Sequence, residues 1–428
     1  MQLLLKGLTI TDTLSPHNHS VKDIRIQNGF ITEISDQITA KADEEVFDYT
    51  GKYISPGWFD MLAHFADPGL EQKEDLDTGA LAAGQGGFTS VCCMPHTHPA
   101  LHSKAEIEYI IHKNKGNIVS VLPLAAVTKN CAGNDLTEMY DMRTAGAVAF
   151  TDAAHAIRDA GILMRALQYV KPFNGTIINI PNDHAIVGNA NVHEGVMSMQ
   201  LGMYGIPSVL EELMVIRDIK LVEYTNSKLH IACVSTKESV EQIRIAKQKG
   251  INISASVSAY QLYFDESELS AYDTTFKVNP PLRTKEDIAA LKKGLVDGTI
   301  DTICSYHLPH ELDAKDVEFE YAADGMETLE ATFGAALYAL DGFLSVEKII
   351  KKLTVNPRNN VNIPPLKIAA GERAELTIFD TQTEWVFLRE HIRSRSTNNP
   401  FIGKPLKGKA LAIINNNQIK TVNNGNKS

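Results

Sequence analysis

The sequence has no apolar run near 18 residues, so it has no candidate for a transmembrane helix. The opening MQLLLKGLTITDT carries a short apolar patch, but it has neither a basic leader nor a small-residue cleavage pattern, and we read no signal peptide there. Basic charge is in deficit. Lys and Arg number 41 against 52 Asp and Glu, giving a net charge of −11, and the pI is ≈ 5.7. That balance argues against nucleic acid or an anionic membrane as the main partner. Cysteine is sparse and odd in number: five, at Cys92, Cys93, Cys131, Cys233 and Cys304, with no repeated C-x-x-C. The expectation is reduced, mostly buried thiols in a cytoplasmic protein rather than a disulfide framework. No internal repeat stands out, and only the polar tail 423–428 is of low complexity; it is expected to fray.

What is present can build a large core, since 44% of the 428 residues are hydrophobic. Length alone suggests roughly two to three domains, although a barrel of ~250 residues counts as one. Near the start, Ile24 and Ile26 alternate with polar residues, Asn28-Gly29 is a hairpin signal, and Phe30 to Ile34 returns. The end has the same character: 374–379, then 411–414, turn residues 415–417, then Ile419. Residues 1–52 and 366–428 therefore read as one β-domain built from both termini. The segment between, 53–365, alternates strand and helix. Strand-like runs lie near 53–65, 89–95, 118–127, 147–153, 176–182, 228–235, 251–259 and 301–308. Ser235-Thr-Lys-Glu238 reads as a capping box opening a helix that turns Val240, Ile243 and Ala246 to one face, and Thr284-Lys-Glu-Asp287 opens another. Eight such repeats predict a (β/α)8 TIM barrel, with a doubly wound open sheet as the competing fold.

A barrel places its chemistry at the C-terminal ends of its strands. The polar residues at those ends are His64, His96, His98, Asp152, His155, Asn182, Asp183, His184, His230, Cys233, Tyr306, His307 and His310. The stretch from Pro56 to Gly69 is central. Side chains two apart on a strand share a face, so Leu62 and His64 point together, where metal hydrolases carry His-x-His. His307 is expected to point outward, because its neighbour Tyr306 points in.

At this point the sequence resembles the dihydroorotases of the amidohydrolase superfamily, nearly end to end. The resemblance is carried by Pro56-Gly-Trp-Phe-Asp60, Asp67-Pro-Gly69, Gly86-Gly-Phe-Thr-Ser-Val-Cys-Cys-Met-Pro95, His193-Glu-Gly195, Gly205-Ile-Pro207, Val234-Ser-Thr-Lys-Glu-Ser239, Lys277-Val-Asn-Pro-Pro-Leu-Arg283, Leu295-Val-Asp-Gly-Thr-Ile-Asp301 and Pro400-Phe-Ile-Gly403. It implies a (β/α)8 barrel with a small β-sandwich from both termini. It also implies the reversible closure of N-carbamoyl-aspartate to dihydroorotate in pyrimidine synthesis, by a metal-bound hydroxide and an aspartate on the eighth strand.

Matched residue by residue, the sequence departs from that machinery. Leu62 stands for the first histidine of His-x-His-x-Arg and Ala66 for its arginine, while His64 is kept. His96 replaces an asparagine after the second strand. Asp152 begins the family's Asp-Asp-Gly, and Ala153 follows it. Ile180 and Cys233 stand at histidine-ligand positions, and Tyr306 stands at the catalytic aspartate. Asn279 and His310 remain from the substrate shell, with His96 beside them; His64 and Asp152 are the residual metal residues. A phenol with a reference pKa of ~10 is a poor general base at neutral pH.

The expectation is a protein without catalysis, without a bound cofactor, homodimeric, and associated structurally with aspartate transcarbamoylase. The alternative is an active hydrolase of dihydroorotate or carbamoyl-aspartate with a rebuilt, mononuclear zinc site. That site would be drawn from His64, Asp152 and some of His96, His98, His155, Cys233 and His307.

Overall fold

In a computed structural model of the protein, residues 1–183, 188 and 190–422 are described. The middle of the chain is the predicted barrel. Its parallel strands are Trp58–Ala63, Phe88–Cys93, Ser120–Ala125, Ala149–Phe150, Ile177–Asn179, Leu229–Ile231, Ile253–Ser258 and Thr302–Cys304, hydrogen-bonded in that order. Each falls within one of the eight runs read from the sequence except the second, which starts at Phe88, one residue ahead of the run 89–95. Helices cover the outside, among them Leu76–Gln85, Ser208–Thr225, Lys237–Gln248 and Lys285–Asp297. The seam between the last and first strands is closed by a parallel bridge of Ala63 with His307 and by the His64 N–H donating to the His307 carbonyl at 2.9 Å.

The β-domain is an eight-stranded sheet drawn from both ends of the chain. Gln2–Ile10 pairs antiparallel with Val21–Gln27, which turns through Asn28-Gly29 into Phe30–Ser35; both turn residues have positive φ, as a tight hairpin requires. Leu376–Val386 and Pro405–Asn415 pair antiparallel and carry the C-terminal strand Gln418–Thr421. Leu3, Leu5, Ile24, Ile54, Leu376 and Ile414 share the core of this sheet, separate from the barrel core.

The single strand read over Tyr53 to Phe65 is two strands. Tyr53–Pro56 belongs to the terminal sheet, where it pairs antiparallel with Leu376–Val386, and Trp58 begins the barrel. Gly57 makes the transfer. A Cβ there would lie 2.1 Å from Thr89 Oγ1, so no larger residue fits. Trp58 then fills the joint, fully buried, with its ring 4.3 Å from Phe333 and 5.5 Å from Phe379. Burying a side chain of this size contributes roughly 2–3 kcal/mol, and its indole N–H is satisfied by Ser55 Oγ at 3.0 Å.

Local signals place the barrel helices. Thr284 caps Lys285–Asp297 in a reciprocal box with Asp287. The cap of Lys237–Gln248 is Thr236, one residue later than the pattern suggests, because Ser235 is engaged elsewhere; Val240, Ile243 and Ala246 are buried as the periodicity predicts. Among the described residues, no helix is long and apolar enough to cross a membrane. The tail 423–428, where fraying is expected, lies outside the described residues.

Candidate functional site

The C-terminal mouth of the barrel is lined at its key positions by residues that fill space. Leu62, Ile180, Cys233 and Tyr306 are all buried and belong to the same continuous core. Cys233 Sγ touches Cys304 Sγ at 3.9 Å, and Tyr306 has Cys233, Tyr260 and Cys304 as neighbours. Burial pushes the Tyr306 hydroxyl well above its ordinary range and the Cys233 thiol likewise. Neither is a base or a thiolate at neutral pH.

The backbone here is unusual. Ala66, Ala153, Cys233 and Tyr306, at the ends of the first, fourth, sixth and eighth strands, all take left-handed φ, between 48° and 58°. Residues with a Cβ adopt that conformation at a cost of about 1 kcal/mol each.

His64 and His96 meet as a stacked pair, with ring centroids 3.8 Å apart and planes at 12°. His64 Nε2 and His96 Nδ1 are buried without partners. Burial pushes the His64 imidazole well below its ordinary value and holds His96 down to about 3, so both rings are neutral. His310 and Lys73 lie within electrostatic reach of both rings. His310 donates through Nε2–H to the Asp324 carbonyl at 3.0 Å and leaves Nδ1 buried and unpaired; Asn279 Oδ1 is unpaired too. His64, His96 and His310 thus form one group, with Asn279 keeping an open acceptor.

Asp152 does not join them. Its carboxylate accepts from the Thr128 N–H at 2.9 Å and Thr128 Oγ1 at 2.6 Å, and burial raises its pKa to about 6. His98 and His155 are exposed. His230 is a core histidine, bonded to Ser254 Oγ at 2.8 Å and Ser256 Oγ at 3.0 Å. His307 turns away from the barrel interior and sits buried between Glu74 and Glu327, 3.6 Å from each. His184 lies outside the described residues; Asn182 is buried, and Asp183 lies 3.8 Å from Arg158. A polar cleft of ≈ 810 Å³ opens beside the mouth, lined by Cys131, His155, Arg158 and Asp183 among others.

The zinc centre that the resemblance implies is not matched by these residues. A metal sits in the plane of each imidazole it binds, at about 2.0–2.1 Å. Two rings stacked face to face direct their lone pairs along separate parallel planes, so His64 and His96 do not converge on one ion. Among the described residues, no three His, Cys, Asp or Glu side chains come together as a metal site.

What the sequence reading missed is a buried polar knot. Arg283 donates through Nε to Ser235 Oγ at 3.0 Å and through Nη1 to the Ile206 carbonyl at 3.1 Å; the same Nη1 lies 2.9 Å from His193 Nδ1. Its Nη2 lies 3.6 Å from Glu211 Oε2. Glu211 accepts from the N–H groups of Ser235 at 2.9 Å and Thr236 at 3.0 Å, and from the Ser235 hydroxyl. Four motifs that carry the resemblance, around His193, Gly205, Val234 and Lys277, therefore meet at one guanidinium. Their residues are structural here, and only the three-dimensional convergence reveals it.

A (β/α)8 barrel with a sheet made from both termini is an architecture shared with solved hydantoinase structures. The L-hydantoinase (dihydropyrimidinase) of Arthrobacter aurescens superposes with a TM-score of 0.83 at 22% identity, covering 97% of this chain and 95% of that one. The dihydropyrimidinase of Brevibacillus agri NCHU1002 gives 0.81 at 19%, covering 99% and 97%. In sequence, residues 51–239 match the family described as dihydro-orotase-like. The dihydroorotase of Geotalea daltonii is 39% identical over 416 residues, 97% of this chain and 98% of that one. That of Pelotomaculum thermopropionicum is 40% identical over 416 residues, 97% of each. The chain belongs to the dihydroorotase family.

Proposed function

We propose that this protein is a non-catalytic member of the family, a structural subunit for the transcarbamoylase that precedes dihydroorotase in pyrimidine synthesis. The observation that carries the first part is the shared burial of Leu62, Ile180, Cys233 and Tyr306 at the mouth. Two of these four residues have no donor atom, and Tyr306 has no accessible proton affinity for general-base work. General acid–base chemistry alone supplies about 10²–10⁴-fold, and a metal hydroxide considerably more. The test is metal analysis of protein purified without added zinc, together with the interconversion of dihydroorotate and N-carbamoyl-aspartate. Well under one equivalent of zinc and no rate are expected. Two tight metals per chain, or a metal-dependent rate abolished by His64→Ala, overturns the reading.

The unpaired nitrogens of His64, His96 and His310 favour a second reading, a rebuilt mononuclear site in a working hydrolase. It requires the stacked rings to part, and one tightly held zinc per chain would favour it.

The partner is aspartate transcarbamoylase, whose product is the family's substrate, and the protein itself is a homodimer without nucleic-acid or membrane partners. The net charge of −11 favours a partner face rich in basic residues, and a stable contact would bury at least ~1,200 Å². Co-expression followed by size-exclusion chromatography with light scattering tests both associations. Separate elution at micromolar concentration removes the scaffold role.

A further inference from the structure

The helix Ser208–Thr225 packs on the barrel through Leu210, Met214, Val215, Ile219 and Val222, all buried. Its outward side is apolar as well. Val209 is 49% exposed, Leu213 53% and Tyr224 75%, and Ile216 is half-buried. With Lys220 these residues follow one another at steps of four, three, four and four, so they form one stripe about 22 Å long. Other barrel helices turn polar side chains outward: Lys285, Glu286, Lys293 and Asp297 on Lys285–Asp297, and Lys237, Glu241 and Gln248 on Lys237–Gln248. A helix that is apolar on both sides marks its outer side as a contact surface.

The stripe is self-complementary. The midpoint between Val209 and Tyr224 is also the midpoint between Leu213 and Lys220, and it falls between Ile216 and Arg217. A second copy turned antiparallel about a two-fold axis at that point sets Val209 on the partner's Tyr224. It also lays the aliphatic stem of Lys220 over the partner's Leu213. The Lys220 ammonium then lies beside the partner's Glu212. Both charges are available for this. Glu212 uses one oxygen, Oε1, on Gln242 Nε2 at 2.9 Å. Lys220 pairs within its own chain with Glu223 at 2.9 Å, both side chains being largely in solvent, and so exposed a pair holds weakly. Arg217 turns inward, donating to Asp218 and to the Ile157 and Arg158 carbonyls. Glu212 and Glu223 balance Arg217 and Lys220, so a chain of net charge −11 meets itself here without local repulsion.

We propose that this side of Ser208–Thr225 is where two copies of the chain meet, helix against helix and antiparallel, with the axis between Ile216 and Arg217. This rests on the homodimeric reading above, to which it adds the surface, the orientation and the residues in contact.

The test uses the full-length protein and size-exclusion chromatography with light scattering. Twice the chain mass is expected at micromolar concentration. Leu213→Glu puts a carboxylate into the apolar stripe, at a position where the exposed side chain is not needed for folding, and is expected to raise the dissociation constant about 10-fold or more. An unchanged urea midpoint per chain at high dilution checks that the variant folds. Lys220→Glu is expected to weaken the dimer, and Lys220→Glu combined with Glu212→Lys to restore it. Orientation is read by cross-linking. All five native cysteines are buried, so Ile216→Cys offers a single reactive thiol beside the axis, and a short bis-maleimide is expected to join two chains through it. Lys293→Cys, on another helix, is expected to give no such product. A dimer that persists in Leu213→Glu and does not cross-link in Ile216→Cys overturns this interface and leaves the homodimer standing. A monomer at micromolar concentration overturns both. A monomer whose association with the co-expressed transcarbamoylase is lost in Leu213→Glu assigns the stripe to that partner and overturns the proposal.

Discussion

The His64 backbone N–H donates to the His307 carbonyl at 2.9 Å, and this bond joins the first strand of the barrel to the last. The closure is made by main chain, so it does not depend on what the neighbouring side chains do. The side chains of Leu62 and Tyr306 are therefore free to vary in chemistry while the strand ends stay in place. Both side chains belong to the barrel core.

One consequence concerns Ile180. Replacing this fully buried core residue with histidine introduces a polar ring among apolar neighbours, so in the presence of a chelator Ile180→His is expected to lose about 2–4 kcal/mol of stability. Urea denaturation measures it. A loss below about 1 kcal/mol would show that the position is open to solvent or to an ion.

The polar knot gives a larger effect. Glu211→Ala removes the acceptor for two backbone N–H groups and strands the Arg283 guanidinium in the interior. A loss of about 3–5 kcal/mol is expected, whereas Glu211→Gln retains one acceptor and falls between that variant and the parent. The same denaturation experiment ranks the three proteins.

Stability should fall on acidification. Burial holds His96 and His230 down to about 3 and His310 to about 4, against an ordinary 6.5. Because the folded values lie below the unfolded one, their contribution is complete above pH 6.5 and is lost as pH falls, when the unfolded chain takes up protons that the fold refuses. At pH 5 each costs up to about 2 kcal/mol relative to pH 7. Asp60 and Asp152 act in the opposite sense. Burial raises both to about 6, so the fold binds their protons first, and each returns part of that loss over the same step. With His193 also held down to about 4, the lowered histidines outnumber these two carboxylates, and the expectation is a lower urea midpoint at pH 5 than at pH 7. Equal midpoints would contradict it.

All five cysteines are free and buried. A thiol reagent such as Ellman's should therefore react slowly with the native protein and reach the full complement only after unfolding. Fast reaction of Cys131, which lines the polar cleft, would mean that its loop opens readily.

The fold was legible because its signals are local and repeated. Eight short apolar runs, the Asn28-Gly29 turn and the Thr284 cap each declare themselves within a few residues. The division at Gly57 was not, because a strand that leaves one sheet and enters another keeps the same apolar alternation throughout. At the site, Leu62, Ile180, Cys233 and Tyr306 were singled out in the sequence, and the structure buries all four in one core. Three relationships were hidden. Asp152 is held by Thr128, His230 is held by two serines, and His64 stacks on His96; each partner is more than 20 residues away in sequence. The convergence of Arg283, Glu211, His193 and Ser235 is of the same kind, since no spacing rule links them.

The terminal sheet also sets an order of events during synthesis. Pro56 pairs with Leu376, some 320 residues later. At about 5–20 residues per second, the N-terminal strands wait on the order of 15–65 s for their partners. Throughout that interval Leu3, Leu5 and Ile24, which end in the sheet's core, have nothing to cover them but the nascent chain itself. The barrel can assemble meanwhile, so the last step of folding is the arrival of the C-terminal strands on a preformed body. Truncation from the C-terminal side would then leave a folded barrel with an uncovered, aggregation-prone edge.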